Sequence, residues 1–298
     1  MRFMKKKNRM EIPNLEVKES FKLTDFPTQL NHDFSNKSLK KQLKKERREL
    51  GEMQNTLYAY GKYSVLVCIQ GMDTSGKDSL IREVFKDFNV RGVNSNSFKK
   101  PTEKELQQNF LWRHSKALPA RGKYGVFNRS HYENVLISRV KPAIVLNENI
   151  PHITNLEDIT PAFWDNRLEQ INNFEKTIHQ NGCIIFKFFL HISKEEQKER
   201  ILRRLNTPSK NWKFSPEDLK DRELWDEYIK YYEETINTTS KKHAPWYIIP
   251  SDNKNLARLL VAKTIKERME QFTEIQNPTL PDEMHEQISY YKEQLRNS

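Results

Sequence analysis

From residue 63 onward, short apolar runs alternate with amphipathic stretches of helical period. The runs at 65–69, 93–98, 124–127, 183–190 and 246–249 are rich in Val, Ile, Phe and Tyr, and they predict five strands. Between and after them, apolar residues recur at helical spacing and predict helices at 77–88, 103–117, 131–140, 161–181, 193–206 and 254–271. Start signals mark several segments: Thr160 before Pro161, Ser193 with Glu196 three residues on, and Ser215 with Pro216 and Asp218. Strands alternating with helices imply parallel pairing through right-handed crossovers, hence a three-layer α/β domain. A long helix at 38–60 precedes it. Ser38 is the expected N-cap, Leu39, Leu43, Leu50, Met53 and Leu57 form one stripe, and Gly61 closes it. Its other face carries Lys40, Lys41, Lys44, Lys45, Arg47 and Arg48 and reads as solvated. Residues 1–36 are polar, broken by Pro13 and Pro27, and are expected to form an extended arm with no regular core of its own. The domain then covers 37–275, and 276–298, with Met284, Ile288 and Leu295, reads as a helical tail suited to assembly.

Composition narrows the function classes without choosing one. Of 298 residues, 36% are hydrophobic and 11% aromatic, which is too apolar for a disordered chain. The longest apolar run, 183–192, contains Lys187 and His191 and falls far short of the roughly 20 residues that span a bilayer. The basic opening MRFMKKKNRM is followed by Glu11, Pro13 and Glu16 rather than by the apolar stretch of a secretory signal. Cys68 and Cys183 sit inside apolar runs and read as core thiols. A cytoplasmic protein with no membrane partner is expected. The net charge of +11 favours polyanionic partners of some kind.

The sharpest chemical signal is VLVCIQGMDTSGKDSL at 65–80. A buried strand runs into Gly71, four residues intervene, and Gly76 and Lys77 open a helix, the G-x-x-x-x-G-K spacing of a phosphate-binding loop. Glycines let the backbone wrap a phosphate, the amides of the loop and helix start donate to its oxygens, and the lysine adds a point charge. Asp78 stands where Ser or Thr would hold magnesium, which leaves Ser79, Thr74 or Ser75 as substitutes. Asp73 lies inside the loop, where bound phosphate would repel it unless it faces a cation or the attacking group.

A second signal, YGVFNRSHYE at 124–133, delivers polar residues from a strand end to the same crevice. Asn128 takes the place of a metal-holding acid, Arg129 supplies positive charge, and Glu133 restores a carboxylate. His131 reads as structural. A third signal, 199–225, joins two capped helices through Pro208 and concentrates Arg200, Arg203, Arg204, Lys210, Lys213 and Arg222. With a phosphate loop upstream, it reads as a lid over about 200–225.

Together, GMDTSGKDS at 71–79, SFKKPT at 97–102, LWRH at 111–114, FNRSHYENVL at 127–136, KNWKFSPEDLKDRELW at 210–225 and APWYIIPSDNK at 244–254 resemble the polyphosphate kinase 2 family. The resemblance covers roughly 35–275. It implies a P-loop kinase fold similar to thymidylate kinase with a helical lid, transferring phosphoryl groups reversibly between inorganic polyphosphate and AMP or ADP with Mg²⁺, or Mn²⁺ in its place. By the same resemblance Asp73, Lys77, Arg129 and a lid arginine, Arg203 or Arg204, are catalytic, and Asp73 and Glu133 position the metal. Gly71, Thr74, Ser75, Gly76, Asp78, Ser79 and Asn128 would contact substrate. FNRSHYE is most similar to single-domain members that phosphorylate both mono- and diphosphates, of adenine and also of guanine. A groove of Lys99, Arg113, Arg121, Lys210, Lys213 and Arg222 is expected to track the polyphosphate chain. A homo-oligomer is expected. Two rivals stand beside this reading. One is an ATP-dependent nucleotide kinase; the other is a nucleic-acid-binding P-loop protein, for which the chain shows no recognition-helix or RNP-type pattern.

Overall fold

Five strands pair side by side as one parallel sheet in a computed structural model that describes residues 15–298, side chains of Lys213, Asp282 and Glu286 excepted. The basic opening with Glu11 and Pro13 lies outside the described residues. The strands are β1 (Ser64–Gln70), β2 (Val93–Ser97), β3 (Tyr124–Asn128), β4 (Cys183–His191) and β5 (Trp246–Pro250). Their order is β2-β3-β1-β4-β5. β1 and β4 are buried along their whole length, as interior strands of a parallel sheet covered on both faces must be. Successive residues of β1 face opposite layers. Val65, Val67 and Ile69 join one cluster with Leu39, Leu43, Leu259 and Leu260, while Leu66 and Cys68 pack with Phe127 and Ile185.

Twelve α-helices surround the sheet among the described residues. α1 (Asn36–Tyr60), α2 (Lys77–Val84) and α11 (Lys254–Met269) cover one face, with α1 packed along α11. α5 (Ile137–Val140), α7 (Pro161–Gln180) and α10 (Trp225–Thr239) cover the other. α3 (Glu103–Leu106), α4 (Trp112–Lys116), α6 (Ala143–Leu146), α8 (Lys194–Leu205), α9 (Glu217–Glu223) and α12 (Asp282–Asn297) complete the set. α12 leaves Met284, Tyr290, Tyr291 and Leu295 exposed. No helix among the described residues is long and apolar enough to cross a membrane.

Three expected elements differ in detail. α1 begins two residues before Ser38, because Ser35 is the cap: its hydroxyl accepts from the Ser38 amide at 3.2 Å. The 103–117 segment divides into α3 and α4, since the Asn109 side chain accepts the Leu111 amide and starts a new turn. The 131–140 segment divides into a 3₁₀ turn, His131–Val135, followed by α5. The described part of the arm also contributes to the core. Leu15, Val17 and Leu23 are buried, and the arm pairs antiparallel with β5 through Ile248 N–H to the Leu15 carbonyl and Val17 N–H to the Trp246 carbonyl, both 2.9 Å. A sheet edge left open would invite pairing with another chain, and this contact covers it.

The topology places the site. From β1 the chain passes to β2 and β3 on one side, then returns to β4 and β5 on the other. At such a switch point the loops leaving the carboxyl ends of neighbouring strands diverge and open a crevice. The loops after β1 and β3 meet there.

Candidate active site

The loop after β1 turns on glycine. Gly71 (φ 149°) and Gly76 (φ 109°) hold conformations that side chains rarely adopt, and a Cβ on Gly71 would lie 2.9 Å from the Ser75 hydroxyl and 3.0 Å from the Leu190 carbonyl. Lys77, the first residue of α2, folds back over the loop and donates to the carbonyls of Gly71 (2.6 Å) and Met72 (3.1 Å). Burial lowers its pKa, opposed by the Asp73 carboxylate.

The loop after β3 locks against it. β1 and β3 run in register, Ile69 opposite Asn128, so the next residues emerge beside the phosphate loop. Arg129 holds φ 62°, its amide donates to Ile69 O (3.1 Å), and its guanidinium pairs with Asp73 at 3.2 Å. Asn128 donates to Asp78 at 2.7 Å, and Gln70 donates to the Ser130 hydroxyl at 3.1 Å. Burial opposes the Arg129 charge, but the carboxylates of Glu133 and Asp73 outweigh it and raise its pKa. Burial raises the Glu133 pKa, against the pull of Arg129 and Lys77. Two carboxylates and two cations thus act on one another at the carboxyl edge of the sheet.

This donor set fits a hard cation. The buried hydroxyls of Thr74 and Ser75 and the Asn128 amide oxygen have no hydrogen-bond partner; Thr74 and Ser75 follow Asp73 in the loop, and Asn128 lies on the strand end that leads to Glu133. Hard divalent cations take one or two carboxylates and complete their shell with other oxygens, phosphate included. Ser79, in contrast, donates to the Gly76 carbonyl at 3.0 Å.

The arginines of 200–222 divide between two tasks. Arg200, 4% exposed, spends its whole guanidinium on the protein: Nη1 donates to Thr74 O (3.1 Å) and Ser75 O (2.6 Å), Nη2 to Ser251 O and Asp252 O, and Nε to Glu196. It fastens the phosphate loop to α8 and to the loop after β5. Arg203 is exposed and meets Glu196 at 2.7 Å; Arg204 meets Asp218 on α9 at 2.8 Å. Arg222 donates to the Lys194 carbonyl and the Gln197 side chain, closing α9 onto α8. Lys210 is exposed, and the Lys213 side chain lies outside the described residues.

The expected groove is only partly assembled. Lys99 is exposed just beyond the carboxyl end of β2, on the crevice side. Arg113 is turned toward Glu105 (3.4 Å) and stacks on Phe98. Arg121 requires correction. It precedes β3 in the turn where the Gly122 amide meets Tyr63 O, at the amino end of the strands. A five-residue strand separates it from the crevice by about 16 Å, so it does not line the groove.

Arg200 carries a role that the sequence reading did not give it. Its signal was its place on the buried stripe of α8 with Gln197 and Ile201, since an arginine on an apolar face must find acceptors.

Comparison with known proteins agrees with this geometry. Residues 33–277 match the profile of Polyphosphate kinase 2 (PPK2). An ADP-polyphosphate phosphotransferase of Rhodopseudomonas palustris is 42% identical over 279 residues, 93% of this chain and 96% of that protein. An AMP/ADP-polyphosphate phosphotransferase of Meiothermus ruber is 44% identical over 223 residues, 75% of this chain and 78% of that one. The crystal structure of polyphosphate kinase 2 from Arthrobacter aurescens TC1 superposes with a TM-score of 0.83 at 32% identity, covering 93% of this chain and 95% of that one. A phosphate loop cross-linked to a second polar loop at the switch point of this sheet, with matches over nearly the whole length, means that the chain belongs to the polyphosphate kinase 2 family.

Proposed function

We propose that the protein is a polyphosphate:nucleotide phosphotransferase that moves the terminal phosphoryl group of polyphosphate to a phosphate oxygen of AMP or ADP, reversibly and with Mg²⁺. The observation that carries this reading is the cluster at the crevice, where Arg129 pairs with Asp73 and the charges of Lys77 and Glu133 act on both. The relatives named ADP- and AMP/ADP-polyphosphate phosphotransferase supply the substrate class.

In the transfer, the bridging P–O bond of the terminal phosphoryl group breaks as a bond forms from the acceptor phosphate oxygen in line with it. Both reactants are polyanions, so the chain's task is to position them and offset their repulsion. Lys77 and the loop amides hold the transferring group. Arg129, held over the loop by Asp73, gains a phosphate acceptor when substrate arrives, and Arg203 reaches the group from the lid. Asp73 and Glu133 would hold the divalent cation, which would supply positive charge against the transferring phosphates. Arg204 and Arg222 keep α8 and α9 together, so the lid moves as a unit.

The test uses purified protein, Mg²⁺, long-chain polyphosphate as sole donor and either AMP or ADP, with nucleotides separated by chromatography. ATP forming from ADP, and ADP then ATP from AMP, is the expected result. Product from neither acceptor, together with turnover of ATP and a nucleoside monophosphate, would assign the site to an ordinary nucleotide kinase.

A further inference from the structure

Behind the crevice, a polar cluster crosses the apolar layer between the sheet and α7. Lys187, in the middle of β4, and Glu175, on α7, are both fully buried and meet at 2.6 Å. The ammonium has its three donors satisfied, by Glu175, the Tyr132 hydroxyl (2.8 Å) and the Thr239 carbonyl (2.7 Å). The other Glu175 oxygen accepts from the Tyr132 hydroxyl (2.8 Å) and meets His131 Nε2 at 3.1 Å. Burial works against both charges, yet Glu175 stays below its usual range because Lys187 and His131 outweigh it.

The cluster grips two consecutive residues, His131 and Tyr132, that lie between Arg129 and Glu133. Arg129 occupies a left-handed conformation, which persists in a side-chain-bearing residue only where the surroundings fix it. Two further bonds reach the turn: Ser130 accepts from Gln70 and from the Tyr132 amide. A buried ion pair seldom adds stability over an apolar pair of the same size, so stability alone does not account for one here.

We infer that Glu175 and Lys187 are positioning residues: clamped through His131 and Tyr132, they set where Arg129 and Glu133 stand against the phosphate loop. Neither touches substrate. The inference deepens the proposed function and rests on it for its kinetic readout.

The test is the paired variant Glu175→Gln with Lys187→Met, which removes both charges and keeps volume, with Tyr132→Phe as a milder second variant. The clamp predicts a kcat lower by about 10–100-fold in the paired variant, the range seen when supporting shells of reactive groups are removed, with KM for polyphosphate and AMP held within about twofold and the melting temperature retained. A wild-type kcat in both variants would overturn it. Hydrogen exchange reads the same claim without substrate. Amides of 129–133 should lose protection while those of β1 keep theirs, and unchanged or uniformly lowered protection would contradict the clamp. Should the paired variant fail to fold, Tyr132→Phe is read by both measurements in the same sense. Wild-type protein inactive with polyphosphate would refute the proposed function alone, leaving the clamp to the exchange result.

Discussion

Arg200 and Arg203 lie three residues apart on α8, yet one is sealed into the protein and the other stands in solvent. Arg200 donates to carbonyls of two loops and is part of the crevice wall; Arg203 is largely exposed and meets a partly exposed carboxylate. The same division runs through the whole site. At the edge of the sheet, Lys77, Asp73, Asn128 and Arg129 are held by short bonds on elements whose backs are buried. On the short 3₁₀ turn at 208–213, Lys210 and Trp212 are exposed. At the sheet edge, charge is fixed by hydrogen bonds and ion pairs to elements with buried backs; on the 208–213 turn it is left in water.

Removing a fixed carboxylate breaks this contrast most severely. On the proposed mechanism, Asp73→Asn should lower kcat by about 10³-fold, and because the carboxylate stands part-exposed the melting temperature should change little. Full activity in a steady-state assay would take Asp73 out of the chemistry.

Arg200→Ala should affect activity and folding together. It leaves loop carbonyls without donors, and a loss of about 2–4 kcal/mol in denaturant unfolding is expected, alongside a turnover reduced roughly tenfold or more. Arg203→Ala should leave unfolding unchanged and lower kcat with polyphosphate by about tenfold or more, as loss of a charge on the transferring group does. If both variants behaved alike, the division between a sealed and an exposed arginine would be wrong.

Glu133 supplies a pH signature. Burial raises its pKa above the ordinary 4.5, so as pH falls it gains a proton, and loses its charge, before an exposed carboxylate does. The acid limb of kcat/KM, which reports the free enzyme, should therefore lie above pH 4.5 and should disappear in Glu133→Gln. A limb at or below the ordinary value would place Glu133 in a wetter setting than the structure gives it.

The smallest effect is expected at Arg121. It sits at the amino end of the sheet, so Arg121→Ala should leave KM for polyphosphate of any length unchanged; a rise confined to long chains would restore the residue to the groove.

Much of this was readable in the chain because local rules and global fold agree. Strand runs, the Gly71–Lys77 spacing and the crevice partner Arg129 all follow from patterns a few residues long. Arg121 misled for a physical reason: a basic residue near a strand says nothing about which end it occupies until the strand's direction is known. Lys187 was visible only as an interruption in an apolar run. Its partner lies 12 residues back on α7, and no periodicity in the sequence announces that pairing. The arm likewise looked coreless because Leu15 and Val17 find their apolar neighbours far along the chain, on β5.

The most direct test follows phosphorus through the reaction. Phosphorus NMR of ADP, Mg²⁺ and polyphosphate with the wild-type protein should show the γ-phosphate resonance of ATP growing as terminal groups of polyphosphate are consumed, and Asp73→Asn should show neither change on the same timescale. Polyphosphate consumed into free phosphate with no nucleotide product, or equal γ-phosphate growth in the variant, would contradict transfer by this crevice.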